Sequence, residues 1–277
     1  MGKNHIDLLF ISNSPEIASA VEKAGIDYLF IDLETNGKEE RQKNLDTVKS
    51  HHTFEDIKNV RPYLKKTKLL VRINSFYEKT KEEIELAIKY GADSIMLPMF
   101  ETPQQVTNFI RFVNGRAEVI LLLETKKAED NLDEILKIQG IDRIHIGLND
   151  LHLQKKKQFM FELFVDGTVE NIVNKVKKHN IKYGFGGVSR IGDGVLPATN
   201  ILAYHYYLGS SSVILSRNFC NLEKVSEREA MSILISGTKE LREFYKRLGT
   251  KENDFFIDNN LEIERIIKRI IGQMKHV

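Results

Sequence analysis

Residues 118–151 read EVILLLETKKAEDNLDEILKIQGIDRIHIGLNDL, and this stretch contains the unit from which we predict the fold. An apolar run at 118–123 is followed by an amphipathic stretch that ends at Gly140, and a second apolar run begins at 143. Neither run alternates strictly between apolar and polar residues, as is typical of parallel strands buried on both faces. The stretch therefore predicts one strand–helix–strand unit of a parallel sheet.

The same unit recurs along most of the chain. From the third apolar run to the sixth the spacing is about 25 residues, which suits one strand, one helix and two loops. A chain of 277 residues matches the usual size of a barrel with eight such units. We therefore predict an α/β protein with a (β/α)8 (TIM) barrel rather than an open doubly wound sheet. The apolar runs are Leu8–Ile11, Tyr28–Ile31, Lys68–Ile73, Ser94–Pro98, Glu118–Leu123, Arg143–Gly147, Tyr183–Val188 and Ser212–Leu215.

The chain continues beyond the last predicted strand. Residues 1–220 are predicted to form the barrel, and residues 221–277 a helical extension with helical segments at 222–248 and 261–274. A barrel needs only one helix after its eighth strand. We expect the excess to pack on the barrel or against a neighbouring subunit of a homo-oligomer.

Three sites carry sequence signals for helix starts. Ser14-Pro15 combines a capping hydroxyl with a proline at the first helical position. Thr80 with Glu83, and Thr102 with Gln105, both have the spacing of a capping box.

The composition excludes several classes of protein. The formal charge of +2 is close to neutral and the charges are dispersed, so we expect neither nucleic acid nor a membrane as a partner. The single cysteine, Cys220, excludes an internal disulfide and a cysteine-rich zinc site. Residues 1–7 lack the apolar stretch of a signal peptide. We expect a soluble cytoplasmic protein.

Two carboxylates follow neighbouring predicted strands at the end of a barrel where active sites lie. Glu124 follows strand five and Asp150 follows strand six, so their side chains should converge. Two converging carboxylates repel each other unless a cation or a proton lies between them. We predict a Mg²⁺ or Mn²⁺ site on Glu124 and Asp150. The alternative is that both residues only stabilise helix N-termini.

Other rim residues are candidates for substrate contact. Arg72 lies in an apolar strand, where its guanidinium must be paired, either with a substrate carboxylate or enolate or with Asp32 or Glu34. Backbone N–H groups in glycine-containing loops at this rim often hold anionic groups, although glycines also serve close packing. The further predicted substrate-binding residues are Gly147, Asn149, Gly186 and Gly187. Of the histidines, His51 and His52 are candidate bases, whereas His145 and His205 are interpreted as structural.

Several of these motifs, taken in order, resemble the HpcH/HpaI aldolase and citrate lyase family of metal-dependent, pyruvate-handling barrels. The resemblance covers residues from about 6 to about 220. The matching pieces are IDLE (31–34), VRIN (71–74), GADSIMLPM (91–99), LET with NLDEI (123–135) and GIDRIHIGLNDL (140–151).

The resemblance implies a specific chemistry. Glu124 and Asp150 would hold Mg²⁺ or Mn²⁺, and Arg72 would stabilise an enolate. The implied reaction is reversible cleavage of a 4-hydroxy-2-oxo acid to pyruvate and an aldehyde. The family also implies trimers or hexamers whose last helix is exchanged between subunits.

The chain departs from the family pattern on the side of the proton-transferring base. Thr35 stands where the family usually has a histidine, Leu122 where it often has glutamine, and Leu148-Asn149 where it has Pro-Ala. We therefore assign the base to His51, His52 or a metal-bound water. Two other functions stay open: a lyase for acyl-CoA esters of the malyl- or citramalyl-CoA type, and a barrel that binds an oxo acid without turning it over.

Overall fold

In a computed structural model, which describes residues 5–35 and 52–274, eight parallel strands close into a barrel. Each strand pairs with the next one along the chain, and β8 pairs with β1, which confirms the predicted (β/α)8 architecture. The strands are β1 Asp7–Ile11, β2 Tyr28–Asp32, β3 Lys68–Arg72, β4 Ser94–Leu97, β5 Glu118–Leu123, β6 Arg143–Ile146, β7 Lys182–Val188 and β8 Ser212–Leu215.

The helices of the described residues surround these strands. A short 3₁₀ turn, Arg61–Tyr63, follows the second helix. The helices are α1 Pro15–Ala24, α2 Phe54–Val60, α3 Thr80–Lys89, α4 Pro103–Val113, α5 Lys126–Asp130, α6 Leu132–Ile135, α7 Leu148–Gln154, α8 Glu162–Val165, α9 Thr168–Lys177, α10 Ala198–Leu208, α11 Glu227–Leu248 and α12 Asn253–Met274.

The barrel interior is a separate apolar cluster, distinct from the larger core between strands and helices. Its members are Leu9, Tyr28, Phe30, Leu70, Met96, Ile120 and Leu122. Because side chains alternate between the two faces of a strand, the residue two positions beyond an inward residue also points inward. Asp32, Arg72 and Glu124 follow Phe30, Leu70 and Leu122 by two positions. The interior pattern thus places these three charged side chains at one end of the barrel.

Two of the three predicted helix starts are confirmed. The Ser14 hydroxyl accepts a hydrogen bond from the Ile17 N–H at 3.2 Å, and Thr102 with Gln105 forms a capping box. The capping box predicted at Thr80 and Glu83 is wrong, because Thr80 is itself the first residue of α3. Its hydroxyl instead accepts from the Tyr77 N–H at 2.8 Å, and Glu83 turns towards the loop after β3.

The opposite, N-terminal end of the barrel is closed by an ion network. Arg143 is fully buried, and its guanidinium donates to Asp7 at 2.6 Å. Its Nε lies 3.6 Å from Oε1 of Glu118. The other carboxylate oxygen of Glu118, Oε2, accepts hydrogen bonds from the Tyr28 and Ser94 hydroxyls at 2.9 Å each. A buried cation without such partners would be strongly destabilising, so this network is a condition for the fold.

Both C-terminal helices pack on the barrel of their own chain. Helix α11 lies against α1, where Arg242 donates to the Gly25 carbonyl at 2.8 Å and to Asp27 at 2.7 Å. Helix α12 lies against α10, where Asn200 donates to Asn259 at 2.9 Å. The predicted boundary at residue 220, the homo-oligomer and the exchange of a helix between subunits stay predictions. Within the described residues, no helix is long and apolar enough to cross a membrane.

Candidate active site

The centre of the candidate site is an ion cluster where β2 and β3 end. Arg72 donates through Nε and Nη2 to the two oxygens of Asp32, at 2.9 Å each, and Nη2 lies 3.4 Å from Glu34. Its guanidinium also lies over the Phe30 ring, at 5.5 Å. Burial alone would lower the pKa of Arg72, but Asp32 and Glu34 raise it above its usual value. The guanidinium is therefore a permanent, oriented positive charge.

Glu124 is the second element of the site and follows β5 directly. Its side chain is 3% exposed, and one oxygen accepts from the Met99 N–H at 3.1 Å. Burial raises its pKa well above the usual range, and the charges of Asp150 and Glu34 raise it further, against the opposing effect of Arg72. The neighbouring Thr125, not Glu124, caps α5. Glu124 is thus a buried acid whose ionised form is unfavourable, and not a helix cap.

Asp150 follows the next strand, β6, and its charge acts on Glu124. It lies in the first turn of α7, which begins at Leu148 after Gly147, so it is also well placed to stabilise that helix N-terminus. The backbone of Gly147 lies very close to the Glu124 side chain, because a Cβ at position 147 would be only 2.7 Å from Glu124 Oε2. Only glycine lets β6 bring Asp150 past Glu124 without displacing it.

The end of β7 supplies a backbone surface with little side-chain bulk. Gly186 has a φ of +54°, and a Cβ there would lie 2.5 Å from the Leu148 side chain. Its carbonyl contacts His145 Nε2 at 3.2 Å. Gly187 and Asn149 lie nearby on β7 and α7. Of the four predicted substrate contacts, Gly147 and Asn149 follow β6, whereas Gly186 and Gly187 lie in the last part of the adjacent β7. Their contact with substrate stays a prediction.

Two of the buried histidines, His145 and His205, make structural contacts. Burial lowers the pKa of His145 to about 4, so its ring is neutral at neutral pH. His205 stacks on Phe185, with ring centroids 3.8 Å apart, and its Nδ1 lies 2.8 Å from the Ser210 hydroxyl. These contacts agree with the structural interpretation of both residues.

His52 lies at the rim between β1 and β2, whereas His51 lies outside the described residues. Phe30 accepts from the Ser12 N–H at 3.2 Å where β1 ends. Two residues further along β2, the Asp32 N–H donates to His52 Nδ1 at 3.0 Å. Because Nδ1 accepts this bond, the proton of a neutral His52 lies on Nε2. The backbone N–H of Asp32, whose side chain binds Arg72, therefore fixes the tautomer of His52.

Sequence reasoning missed two residues that hold this arrangement together. Met99 has a φ of +52°, which a non-glycine residue rarely adopts and which aims its N–H at Glu124. Glu83, with a side chain only 6% exposed, accepts from both the backbone and the side chain of Asn74. No sequence signal predicts a positive φ at a methionine, and the spacing of Glu83 from Thr80 suggested a helix cap instead.

A second acidic group lies at the far end of the barrel. Among the described residues, His5, Asp7 and Asp27 have side-chain atoms close enough to share an ion. Asp27 already accepts from the Leu8 N–H and from Arg242, at 2.7 Å each, and Asp7 accepts from Arg143. The cations of the protein itself thus neutralise this group, which is distant from the strand ends that carry Glu124 and Asp150.

The rim carboxylates fit a divalent cation. The charges of Asp150 and Glu34 act against a negative charge on Glu124, and Asp32 already engages the Arg72 guanidinium through both of its oxygens. Carboxylate oxygens are the ligands that Mg²⁺ and Mn²⁺ prefer. Glu124 and Asp150 would hold the ion, which would relieve the repulsion that raises the pKa of Glu124.

This repulsion predicts an unusual pH dependence of stability. A carboxyl group with a raised pKa binds more protons in the folded state than in the unfolded chain. The free energy of unfolding then falls as the pH rises, by about 1.4 kcal/mol per pH unit at most for one proton. We expect metal-free Glu124→Gln to be more stable than wild type at pH 7.5, with a difference that shrinks towards pH 5.

Urea unfolding of both proteins in chelator, between about pH 5 and pH 8, measures this difference. Glu134→Gln, at an exposed glutamate of α6, is the control and should leave the pH dependence unchanged. A Glu124→Gln variant that is less stable than wild type across the whole range would contradict the expected repulsion.

Comparison with known proteins places the chain in a family. The model of the HpcH/HpaI aldolase/citrate lyase family matches residues 7–184, more than half of the chain. The 2-keto-3-deoxy-L-rhamnonate aldolase of Escherichia coli is 25% identical over 180 residues, covering 54% of this chain. A variant of that protein from another E. coli strain is 26% identical over 182 residues. The chain spans 62% of the length of these curated relatives.

Solved structures share the fold at low sequence identity. The HpcH/HpaI aldolase of Desulfitobacterium hafniense is 16% identical with a TM-score of 0.61, over 77% of this chain and 86% of that one. A family protein of Burkholderia cenocepacia is also 16% identical, with a TM-score of 0.62, over 83% and 95% of the two chains. At such identities these likenesses show the fold alone. The match of the family model over residues 7–184 shows more: the chain belongs to the HpcH/HpaI aldolase/citrate lyase family.

Proposed function

We propose that this chain is a divalent-metal-dependent carbon–carbon lyase that interconverts a 4-hydroxy-2-oxo acid with pyruvate and an aldehyde. The observation that carries the proposal is the buried Glu124, which faces Asp150, Glu34 and Arg72 at the C-terminal end of the barrel. Such a group of acids around one fixed cation suits a metal ion and a substrate that develops negative charge. The curated relatives named for aldolase activity support the same reaction class.

Arg72 is the residue we assign to charge stabilisation. Breaking the bond between C3 and C4 of the substrate leaves an electron pair on the pyruvate fragment, which becomes an enolate. A preorganised guanidinium stabilises such an oxygen-centred charge without reorganising during the reaction. Asp32 holds that guanidinium by two parallel hydrogen bonds, so its direction is set before substrate arrives.

The metal ion is assigned to Glu124 and Asp150. A bound Mg²⁺ or Mn²⁺ supplies Lewis-acid chemistry, which polarises the keto group of an oxo acid. The Met99 N–H holds one oxygen of Glu124, and Gly147 leaves the space through which Asp150 approaches. The backbone N–H groups around Gly186 and Gly187 are proposed to receive the substrate carboxylate.

Proton transfer is the step in which this chain departs from its family. Thr35, where the family usually has histidine, donates to Asn74 through its N–H at 2.8 Å and through its hydroxyl at 3.3 Å. His52 presents Nε2 as the protonated nitrogen when neutral. We assign the Nε2–H of neutral His52 to a hydrogen bond that holds a substrate oxygen. His51 or a water molecule is the candidate base, which would take the proton of the 4-hydroxyl group and return it to C3 of the enolate.

The proposal predicts metal-dependent release of pyruvate. Purified protein is incubated with 4-hydroxy-2-oxo acids of increasing chain length, and pyruvate is measured by coupling to lactate dehydrogenase. We expect turnover that requires Mg²⁺ or Mn²⁺ and falls at least about 100-fold in Asp150→Asn, because one ligand of the ion is lost. Equal rates in wild type and Asp150→Asn would contradict the assignment.

The same assay separates the competing functions. Malyl-CoA and citramalyl-CoA are added as substrates, and released products are measured alongside pyruvate from the oxo acids. Faster cleavage of a CoA ester than of every oxo acid would replace the aldolase proposal with the acyl-CoA lyase. Binding of pyruvate and metal without cleavage of any compound would indicate a barrel that binds oxo acids without turning them over.

A further inference from the structure

A relay of hydrogen bonds, buried where Glu83 meets Asn74, connects α3 to the strand-two side of the candidate site. Glu83 Oε1 accepts from the Asn74 side-chain amide and from the Tyr77 hydroxyl, at 2.7 Å each. Glu83 Oε2 accepts from the Asn74 N–H at 3.0 Å. On the other side of the Asn74 side chain, its amide oxygen Oδ1 accepts from the Thr35 N–H at 2.8 Å. Thr35 is the residue that follows Glu34.

The charge of Glu83 decides which way the Asn74 amide faces. An ionised carboxylate only accepts hydrogen bonds, so it must receive the NH₂ group of Asn74 and not its oxygen. The Asn74 oxygen is then left facing Thr35, whose N–H needs an acceptor. A flipped amide would set two donors against each other at Thr35 and would break the 2.8 Å hydrogen bond that the Thr35 N–H makes to Asn74.

The position of Thr35 matters because of the residue beside it. Glu34 is 3% exposed, lies 3.4 Å from the guanidinium of Arg72, and is one of the charges that raise the pKa of Glu124. Its backbone N–H is held by Asp32 at 3.2 Å on one side, and the next peptide is held by Asn74 on the other. The backbone around Glu34 is thus fixed from both ends.

We propose that Glu83 is a positioning residue, which orients the Asn74 amide and thereby holds Glu34 against Arg72 and Glu124. Glu83 itself does not touch substrate or the reacting atoms. The effect on turnover rests on the proposed function, whereas the effect on the Thr35 peptide does not.

The Glu83→Gln variant tests the relay with almost no change in shape. A glutamine at 83 has only one oxygen, which the backbone N–H of Asn74 needs as its acceptor. Its NH₂ group then faces the side-chain NH₂ of Asn74, so the Asn74 amide flips and its oxygen releases the Thr35 N–H. Adding Asn74→Asp restores an acceptor on both sides of residue 74 and returns the net charge to that of wild type. Glu82→Gln, at the exposed neighbour of Glu83, is the matched control.

Three measurements are made on wild type, Glu83→Gln, the double variant and the control. Hydrogen–deuterium exchange by mass spectrometry follows the peptide that contains Thr35. Mn²⁺ affinity is measured by calorimetry, and kcat and KM for pyruvate methyl proton exchange by NMR. We expect Glu83→Gln to accelerate exchange at Thr35 and to weaken Mn²⁺ binding at least threefold. We also expect kcat to fall about tenfold with KM changed less than twofold, with recovery in the double variant.

The outcomes separate the two proposals. If Glu83→Gln matches Glu82→Gln in hydrogen exchange, or if Thr35 is loosened without any change in Mn²⁺ affinity or kcat, the positioning role is overturned. If wild type binds Mn²⁺ but does not exchange pyruvate protons, the proposed function fails, and the Mn²⁺ titration alone decides the role of Glu83. A wild-type protein that binds no Mn²⁺ contradicts both.

Discussion

The Arg72→Lys variant is expected to exchange the methyl protons of pyruvate about 10² to 10³ times more slowly than wild type, although its net charge is unchanged. Arg72 reaches both oxygens of Asp32 and lies 3.4 Å from Glu34. A lysine ammonium is a point charge on a flexible stem and cannot reproduce this planar fork. The positive charge is kept, but the fixed position of its hydrogen-bond donors relative to the developing enolate is lost.

Lysine is the informative substitution because alanine would confound function with folding. Arg72 is 15% exposed and is surrounded by Asp32, Glu34 and Glu124, so its deletion would leave buried acids without their cation. The control is Arg190→Lys, at an arginine that follows β7 and pairs with Asp193 at 3.0 Å. Exchange by Arg72→Lys within about threefold of wild type, with both proteins folded, would remove Arg72 from the assigned chemistry.

The largest expected effect on stability lies at the other end of the barrel. Glu118→Gln should lower the free energy of unfolding by about 3 kcal/mol, because it removes one anion from the fully buried Arg143. Arg143 would keep only Asp7 as its charged partner, and the hydroxyls of Tyr28 and Ser94 would lose a carboxylate acceptor. Urea unfolding at pH 7 measures this loss.

The pH dependence of this effect has a definite sign. Burial alone would raise the pKa of Glu118, but Arg143 and Lys68 hold it below its usual value. A carboxylate of lowered pKa stabilises the folded state above its ordinary pKa, and this contribution is lost as the pH falls through the lowered value. The difference between wild type and Glu118→Gln should therefore be complete at neutral pH and shrink below about pH 4.

An exposed ion pair provides the comparison for Glu118. Glu85 accepts two hydrogen bonds from Arg116 at 2.7 Å each, but both side chains are solvated. Glu85→Gln should change stability far less than Glu118→Gln, because solvent screens exposed pairs. Similar losses of unfolding free energy in the two variants would show that the burial of Arg143 does not strengthen its ion pair at the N-terminal end of the barrel.

The sequence allowed the barrel and the rim acids to be predicted because both depend on local patterns. Buried parallel strands are continuous apolar runs, and the first polar residue after such a run lies at the strand end. Glu124 follows its strand in this way, whereas Arg72 is the last residue of β3 and Asp150 lies in the first turn of the helix after β6. For Arg72, the structure shows the salt bridges to Asp32 and Glu34, whereas its contact with substrate stays a prediction.

What the sequence could not supply are contacts and backbone conformations that arise only in the folded chain. Glu83 has the spacing of a capping residue, and only the fold shows that it faces Asn74 instead. The positive φ of Met99 has no signal in its residue type. Arg143 was placed in an apolar run, but its burial beside Tyr28 and Glu118 depends on partners 115 and 25 residues away. Such pairings arise from barrel closure, not from periodicity.

The most direct test of the central claim is deuterium exchange into the methyl group of pyruvate, followed by ¹H NMR in D₂O with and without Mg²⁺ or Mn²⁺. This exchange isolates enolate formation and requires no knowledge of the aldehyde. We predict exchange by wild type that requires the metal, stops on adding chelator and is lost in Glu124→Gln. Exchange that persists in Glu124→Gln, or no exchange by a wild-type protein that has bound Mn²⁺, would contradict a metal-dependent pyruvate enolisation at Glu124 and Asp150.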